Sequence, residues 1–113
     1  MSYDIYFCDS FKKAIKHFKK RYPNVTEDVS KAIRELQETP TKGDVIRGAK
    51  GARKVRVANS DMNKGKSGGY RLLYYVVDEP TKSIYLVMLF AKNEQENIST
   101  KEVIELLKEA NLL

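Results

Sequence analysis

Apolar residues recur at helical spacing twice near the start of the chain. Phe11, Ala14, Ile15, Phe18 and Tyr22 fall on one side of a helix starting at about Ser10, and Lys12, Lys13, Lys16, Lys19 and Lys20 take the other side. Pro23 ends it. A second helix is predicted from near Asn24, where Glu27 stands three residues on in the position of a capping box. Its apolar stripe is Val25, Val29, Ala32, Ile33 and Leu36, and Pro40 stops it. Two amphipathic helices joined by Tyr22-Pro23-Asn24 make an antiparallel helical hairpin.

Elsewhere the period falls to two. Tyr3–Cys8 is short and rich in aromatic and β-branched residues, which predicts a strand. Arg53–Ala58 alternates charged and apolar residues, as a half-buried strand does. Tyr70–Asp78 is apolar on both faces, which predicts a central strand, and Ser83–Ala91 is a further strand beyond the turn Glu79-Pro80-Thr81-Lys82. Ser99 and Glu102 then form a capping box, with Ile98 and Val103 spaced as a hydrophobic staple. Val103, Ile104, Leu107 and Ala110 give the last helix its buried side. The expected fold is α+β: an N-terminal helical hairpin packed on one face of a small, mostly antiparallel sheet, with a C-terminal helix. No internal repeat or Pro/Gly-rich linker divides the chain, so residues 1–113 are read as a single domain.

The apolar runs around Leu72–Val77 and Ile84–Ala91 are well short of the roughly 18 residues a membrane span needs. Met1-Ser2-Tyr3-Asp4 lacks the basic and apolar regions of a signal peptide. The single cysteine, Cys8, lies in an apolar stretch and reads as a small core residue. These features predict a cytoplasmic protein with no membrane partner.

Charge changes the picture more. The chain carries a net +6, unevenly placed. Residues 1–41 hold 8 basic and 6 acidic side chains, and residues 72–113 hold 4 basic and 7 acidic. Residues 42–71 hold 9 basic (Lys42, Arg47, Lys50, Arg53, Lys54, Arg56, Lys64, Lys66, Arg71) against Asp44 and Asp61, a net of +7. A solvated surface normally mixes signs, so a segment almost wholly of one sign points to a polyanion such as RNA.

Within that segment, alternation places Val55 and Val57 on one side of a strand and Lys54 and Arg56 on the other. With the valines facing the core, the two cations stand together on an open sheet face, suited to phosphate. The bland reading is that they are only the wet side of a half-buried strand. The loop Asn59–Gly69 adds Lys64 and Lys66 among Gly65, Gly68 and Gly69 and is predicted to be mobile, able to fold over a phosphate backbone. Arg71 follows at the start of the central strand, where a guanidinium can grip phosphate with two hydrogen bonds. Lys92-Asn93-Glu94 lies just beyond the last strand and by itself reads as a polar connection. No His, Cys or Asp cluster has metal-ligand spacing, and no P-loop pattern occurs, so no metal or cofactor is expected. The lone histidine, His17, sits beside the lysine face of the first helix and is read as structural, while Asp44 and Asp61 look isolated. Proton transfer is left to lysine, tyrosine or Glu94.

At these residues the chain resembles a known family. Gly43-Asp44-Val45-Ile46, Ala52-Arg53-Lys54-Val55-Arg56-Val57-Ala58, Gly65-Lys66-Ser67-Gly68-Gly69-Tyr70-Arg71 and Ala91-Lys92-Asn93-Glu94 together look like the HigB branch of the RelE/ParE toxin superfamily. The resemblance implies the toxin of a type II toxin–antitoxin pair: a ribosome-dependent, metal-independent endoribonuclease that cleaves translated mRNA. In this chemistry the mRNA's own 2′-hydroxyl attacks the adjacent phosphate and leaves a cyclic phosphate, while basic residues hold the RNA and stabilise the transition state. Carried over by position, Lys54 and Arg56 match the family's basic strand residues and Arg71 its arginine after the Gly-Tyr. These are read as catalytic, with Lys92 or Glu94 taking part, and Arg53, Lys64, Lys66, Tyr70 and Asn93 are read as binding RNA. Asn93 and Ser99 stand where RelE has an arginine and a tyrosine, so proton-transfer roles do not carry over there and the general base and acid stay open. The implied partners are the ribosome, mRNA and a cognate, DNA-binding antitoxin that covers the basic site. Two other readings stay open: a ParE-like inhibitor of DNA gyrase, and a non-catalytic module that binds RNA or the ribosome.

Overall fold

The computed structural model describes residues 2–63, 65–66, 68–95 and 97–113. Among these residues the chain runs β1 (Asp4–Phe7), α1 (Asp9–Lys19), α2 (Val25–Glu38), β2 (Asp44–Val45), β3 (Arg53–Val57), β4 (Tyr70–Val77), β5 (Ser83–Ala91) and α3 (Thr100–Glu109), with a 3-10 turn at Ser60–Met62. The strands form one sheet in the order β1-β5-β4-β3-β2. Only β1 and β5 pair in parallel, and the other neighbours are antiparallel. β4 lies at the centre, as its two apolar faces predicted. The α+β architecture and the mostly antiparallel sheet agree with the sequence reading.

The hairpin packs as its stripes require. Phe11, Ala14, Phe18 and Tyr22 of the first helix and its turn, and Val25, Val29 and Leu36 of α2, are buried against Leu72, Tyr74, Ile84, Leu86 and Leu89. Each large apolar side chain removed from water in this way contributes about 1.5–3 kcal/mol. The start of α2 differs from expectation. Asn24 makes no side-chain cap, and its main-chain N–H instead donates to the Asp61 carboxylate at 2.9 Å. The capping box at Ser99 and Glu102 does form, and Ile98 and Val103 share one cluster.

The sheet face opposite the hairpin is not bare, as the one-sided reading implied. Val103 and Leu107 of α3 pack there with Leu73, Val87, Phe90, Ala49 and Ala52. Open surface on that face is left toward β3. A two-residue strand, β2, also joins the far edge. Its residues Asp44 and Val45 pair with Lys54 and Arg53, a pairing too short to show as periodicity. Asp44 is therefore not isolated.

Nor is the whole loop after β3 loose. Asp28 of α2, buried, accepts hydrogen bonds from the Ser60 N–H and hydroxyl, each at 3.0 Å. The buried Asn59 side chain accepts from the Met62 N–H at 3.2 Å. With Asp61 held on Asn24, the first third of the expected mobile loop is pinned to the hairpin by satisfied main-chain donors. No described helix is long and apolar enough to cross a membrane.

Candidate active site and nucleic-acid interface

The register of β3 and β4 builds the site. Arg56 lies directly opposite Arg71, Lys54 opposite Leu73, and on the other flank Arg71 lies opposite Phe90. Opposed residues of an antiparallel pair share a sheet face, with Cβ atoms about 4.5–5.5 Å apart. Lys54, Arg56 and Arg71 therefore stand together on the α3 side of the sheet, at its open edge. Val57 and Val55 take the opposite side, in the hairpin core. Arg56 is exposed, whereas Lys54 and Arg71 are half-buried.

Like charges placed across a strand pair destabilise a sheet by about 0.2–1 kcal/mol. Burial first, and then the Arg56 charge, push the Arg71 guanidinium below its ordinary value. It nevertheless stays protonated at any ordinary pH, because arginine starts so high. Its Nη1 donates to the carbonyls of Tyr70, at 3.3 Å, and Lys66, at 3.5 Å. These long contacts lean the guanidinium toward the loop that precedes it.

That loop meets the sheet through Gly69. A Cβ there would lie 2.1 Å from the Val57 carbonyl oxygen and 2.8 Å from the Asn59 nitrogen, so only glycine lets the chain come so close before entering β4. The Lys92 N–H donates to the Gly69 carbonyl at 3.0 Å, which sets the start of Lys92-Asn93-Glu94 beside the approach to Arg71. Lys92 is half-buried.

The other expected residues are placed differently. Tyr70, expected to touch RNA, is fully buried on the hairpin side, with ring centroids 5.5 Å from Phe18 and 6.0 Å from Tyr22. Adjacent strand residues point to opposite faces, so the step that presents Arg71 encloses Tyr70. Among the described residues its hydroxyl has no hydrogen-bond partner, and burial, aided by the negative charges of Asp28 and Asp61, raises its pKa. Arg53, also expected on RNA, is turned to the hairpin side and donates to the carbonyls of Gly43 at 2.8 Å and Thr41 at 3.3 Å. It fastens the segment before β2 rather than joining the cluster. Lys66 is exposed, and its ammonium reaches Glu35 of α2 at 3.4 Å. Asn93 faces the hairpin, its amide 3.4 Å from the Tyr22 hydroxyl. Glu94 pairs with His17 of α1 at 3.6 Å, away from the arginine pair. Lys64 lies outside the described residues.

An open groove of about 1000 Å³ runs between α1 and α3 and takes in His17 and Glu94, but none of Lys54, Arg56 or Arg71. Size alone therefore does not mark the site here. Among the described residues no group of three or more His, Cys, Asp or Glu is arranged to hold a metal ion.

Several organising residues escaped sequence reasoning. Asp28 follows Val25 by three residues and so falls on the buried stripe of α2, and a carboxylate at such a position is itself a signal. Tyr74 accepts from the Gly43 N–H at 2.8 Å and donates to the Pro40 carbonyl at 2.7 Å, which draws the chain between α2 and β2 onto the sheet. One of three tyrosines in an apolar strand gave no hint of that. Glu35, which gathers Lys42 and Lys66, gave none either.

Comparison with known proteins agrees with this architecture. The family model described as the RelE toxin of the RelE/RelB toxin–antitoxin system matches residues 9–113. A protein named mRNA interferase toxin RelE, from Escherichia coli strain K12, is 29% identical over 103 residues, covering 90% of this chain and 98% of that protein. A Shigella flexneri protein named mRNA interferase RelE matches to the same extent. Among solved structures, an arginine-to-alanine double variant of the E. coli toxin RelE in the free state superposes with a TM-score of 0.59 at 24% identity, covering 99% of this chain and 97% of that one.

Proposed function

The chain belongs to the RelE toxin family, and from that premise we propose that it is an endoribonuclease that cleaves mRNA on the ribosome, with Arg71 and Arg56 holding the scissile phosphate. The observation that carries this reading is the cross-strand arginine pair beside Lys54. Two guanidiniums fixed on a rigid sheet, at some expense to the fold, match a phosphate whose oxygens gain charge as the reaction proceeds. Relatives named mRNA interferases support a nuclease over a gyrase inhibitor.

The chemistry needs little else. The RNA 2′-oxygen forms a bond to phosphorus as it gives its proton to a base, and the bond to the 5′-oxygen breaks as that oxygen takes a proton from an acid. A 2′,3′-cyclic phosphate and a 5′-hydroxyl result. Lys54 and Lys92 are the candidates for proton transfer, Lys54 sharing the sheet face of the arginine pair. Glu94, which pairs with His17, would have to turn toward the phosphate to take part. No metal is required in this scheme. A cognate antitoxin would silence the enzyme by covering the Lys54/Arg56/Arg71 surface.

The test is to map cut sites on mRNA with purified protein, with and without ribosomes. Cleavage that needs ribosomes and leaves cyclic phosphate ends is expected. It should persist with a chelator when ribosomes are held intact by polyamines. Cutting that is lost under those conditions and restored by magnesium, or DNA breakage in place of RNA cleavage, overturns the reading.

A further inference from the structure

We propose that Lys42 and Lys66 form a second phosphate-binding subsite beside α2, which the carboxylate of Glu35 occupies as an internal stand-in until an RNA strand displaces it. The inference rests on the RNA-cleaving reading above and adds a position for the backbone away from the scissile bond.

Glu35 Oε2 accepts hydrogen bonds from both Lys42 Nζ and Lys66 Nζ. The two lysines come from separate segments, one just after α2 and one in the loop before β4. Their convergence on one oxygen is therefore a product of the fold, not of local sequence. The site already binds an oxyanion. Its two cations, led by the hydrogen bond from Lys42, hold the Glu35 carboxyl below its usual range. All three side chains are open to solvent, at 36% for Lys42, 43% for Glu35 and 56% for Lys66. A phosphodiester can reach them without any rearrangement of the core.

The subsite is also joined to the arginine pair. The carbonyl of Lys66 accepts from the Arg71 guanidinium, while the ammonium of the same residue reaches Glu35. One residue thus spans the distance between them. A strand held at Arg71 has a neighbouring stretch of backbone within reach of Lys66 and, through it, of Lys42. Exposed ion pairs are weak, so a phosphate can take the place of the carboxylate. The Glu35 charge then repels the incoming strand and dulls affinity for any polyanion that the arginine pair does not also grip.

The experiment measures binding of a single-stranded RNA oligonucleotide, too short to need the ribosome, over a range of salt concentrations. It compares wild type, Glu35→Gln, Glu35→Ser and Glu35→Gln with Lys42→Ala and Lys66→Ala added. Removing the carboxylate is expected to tighten binding on the order of tenfold at low salt, since it frees two weak ion pairs and removes one repulsion. It should also steepen the slope of log affinity against log salt by up to about 1.4, or about 0.7 for each lysine released. Adding the two alanines should abolish both gains, and thermal melts should show every variant folded. Unchanged or weaker binding by both Glu35 variants makes Glu35 a mere fastener of the loop and overturns the subsite. So does a gain that survives loss of both lysines. If wild type itself binds no RNA, the reading of the whole basic surface fails first and takes the subsite with it.

Discussion

Tyr70 and Arg71 are neighbours in sequence and opposites in every other respect. Tyr70 is closed off between Phe18 and Tyr22, in the layer where the helical hairpin meets the sheet. Arg71 stands on the other face, half-buried, opposite a second arginine. The hairpin face is organised for stability: its charged members, Asp28 and Arg53, are each given partners. The α3 face has a core of its own, but at its β3 edge it sets cation against cation. A fold accepts such local conflict where function requires it. The comparison teaches that one strand can serve both ends because its side chains alternate.

The largest expected effect is on the α3 face. Arg71→Ala should lower mRNA cleavage by about two to three orders of magnitude, the usual cost of losing one preorganised donor to a developing oxyanion. Stability should fall by only about 1 kcal/mol, since Arg71 sits near a strand end and is only half-buried. Cleavage assays and thermal melts run together separate the two. Near wild-type cutting, or loss of activity through unfolding alone, breaks the contrast between the faces.

Gly69 joins the two regions, so its replacement should damage both. Gly69→Ala drives a Cβ into the Val57 carbonyl and the Asn59 nitrogen, and backbone atoms yield little. A loss of about 3 kcal/mol or more in denaturant unfolding is expected, with cleavage reduced because β4 can no longer start where it does. An alanine variant as stable as wild type would mean that the close approach is not needed to position Arg71.

Much of this was legible in advance, for a physical reason. The two amphipathic helices, β4, β5 and α3 bury whole faces, and burial writes a period into the sequence. The hairpin stripe from Phe11 to Leu36 and the Ser99 capping box are of that kind. The cation alternation of β3 also showed, because period two separates Lys54 and Arg56 from the valines. What did not show rests on meetings between distant segments. Nothing local says that Asp61 will cap α2 through Asn24, or that Arg53 will turn to the Gly43 carbonyl. Tyr70 was misread for a related reason: it lies beside a conspicuous arginine, and a motif read as a string ignores which face each residue takes.

Arg56→Gln tests the cost of the arginine pair more gently. It should cut cleavage roughly tenfold, since Arg71 and Lys54 stay, while stability rises by about 0.2–1 kcal/mol as the like-charge contact across the strands is relieved. The gain should shrink at high salt, because Arg56 is exposed and its repulsion is screened. A fall in stability would show that Arg56 supports the sheet and that the conflict on the α3 face is not real.

The smallest expected effect is on the hairpin face, at Tyr70. Its hydroxyl is buried without a partner among the described residues, and an unsatisfied buried polar group opposes folding by about 1–3 kcal/mol. Tyr70→Phe keeps the ring that packs on Phe18 and Tyr22 and removes only the oxygen. Neutral pH melts should therefore show no loss, or a gain of up to about 1 kcal/mol after relaxation. Cleavage should stay within about twofold of wild type, because the side chain is on the wrong face to meet RNA. Alkaline pH gives a second reading. Burial raises the folded phenol's pKa above its ordinary value. The unfolded phenol ionises first, so this contribution to stability is intact below about pH 10 and is lost as pH climbs beyond it. The phenylalanine variant has no such group and should lose less stability over that range than wild type does. A variant that melts earlier at neutral pH would mean that the hydroxyl has a partner after all. One that folds normally but no longer cuts RNA would return Tyr70 to the active site.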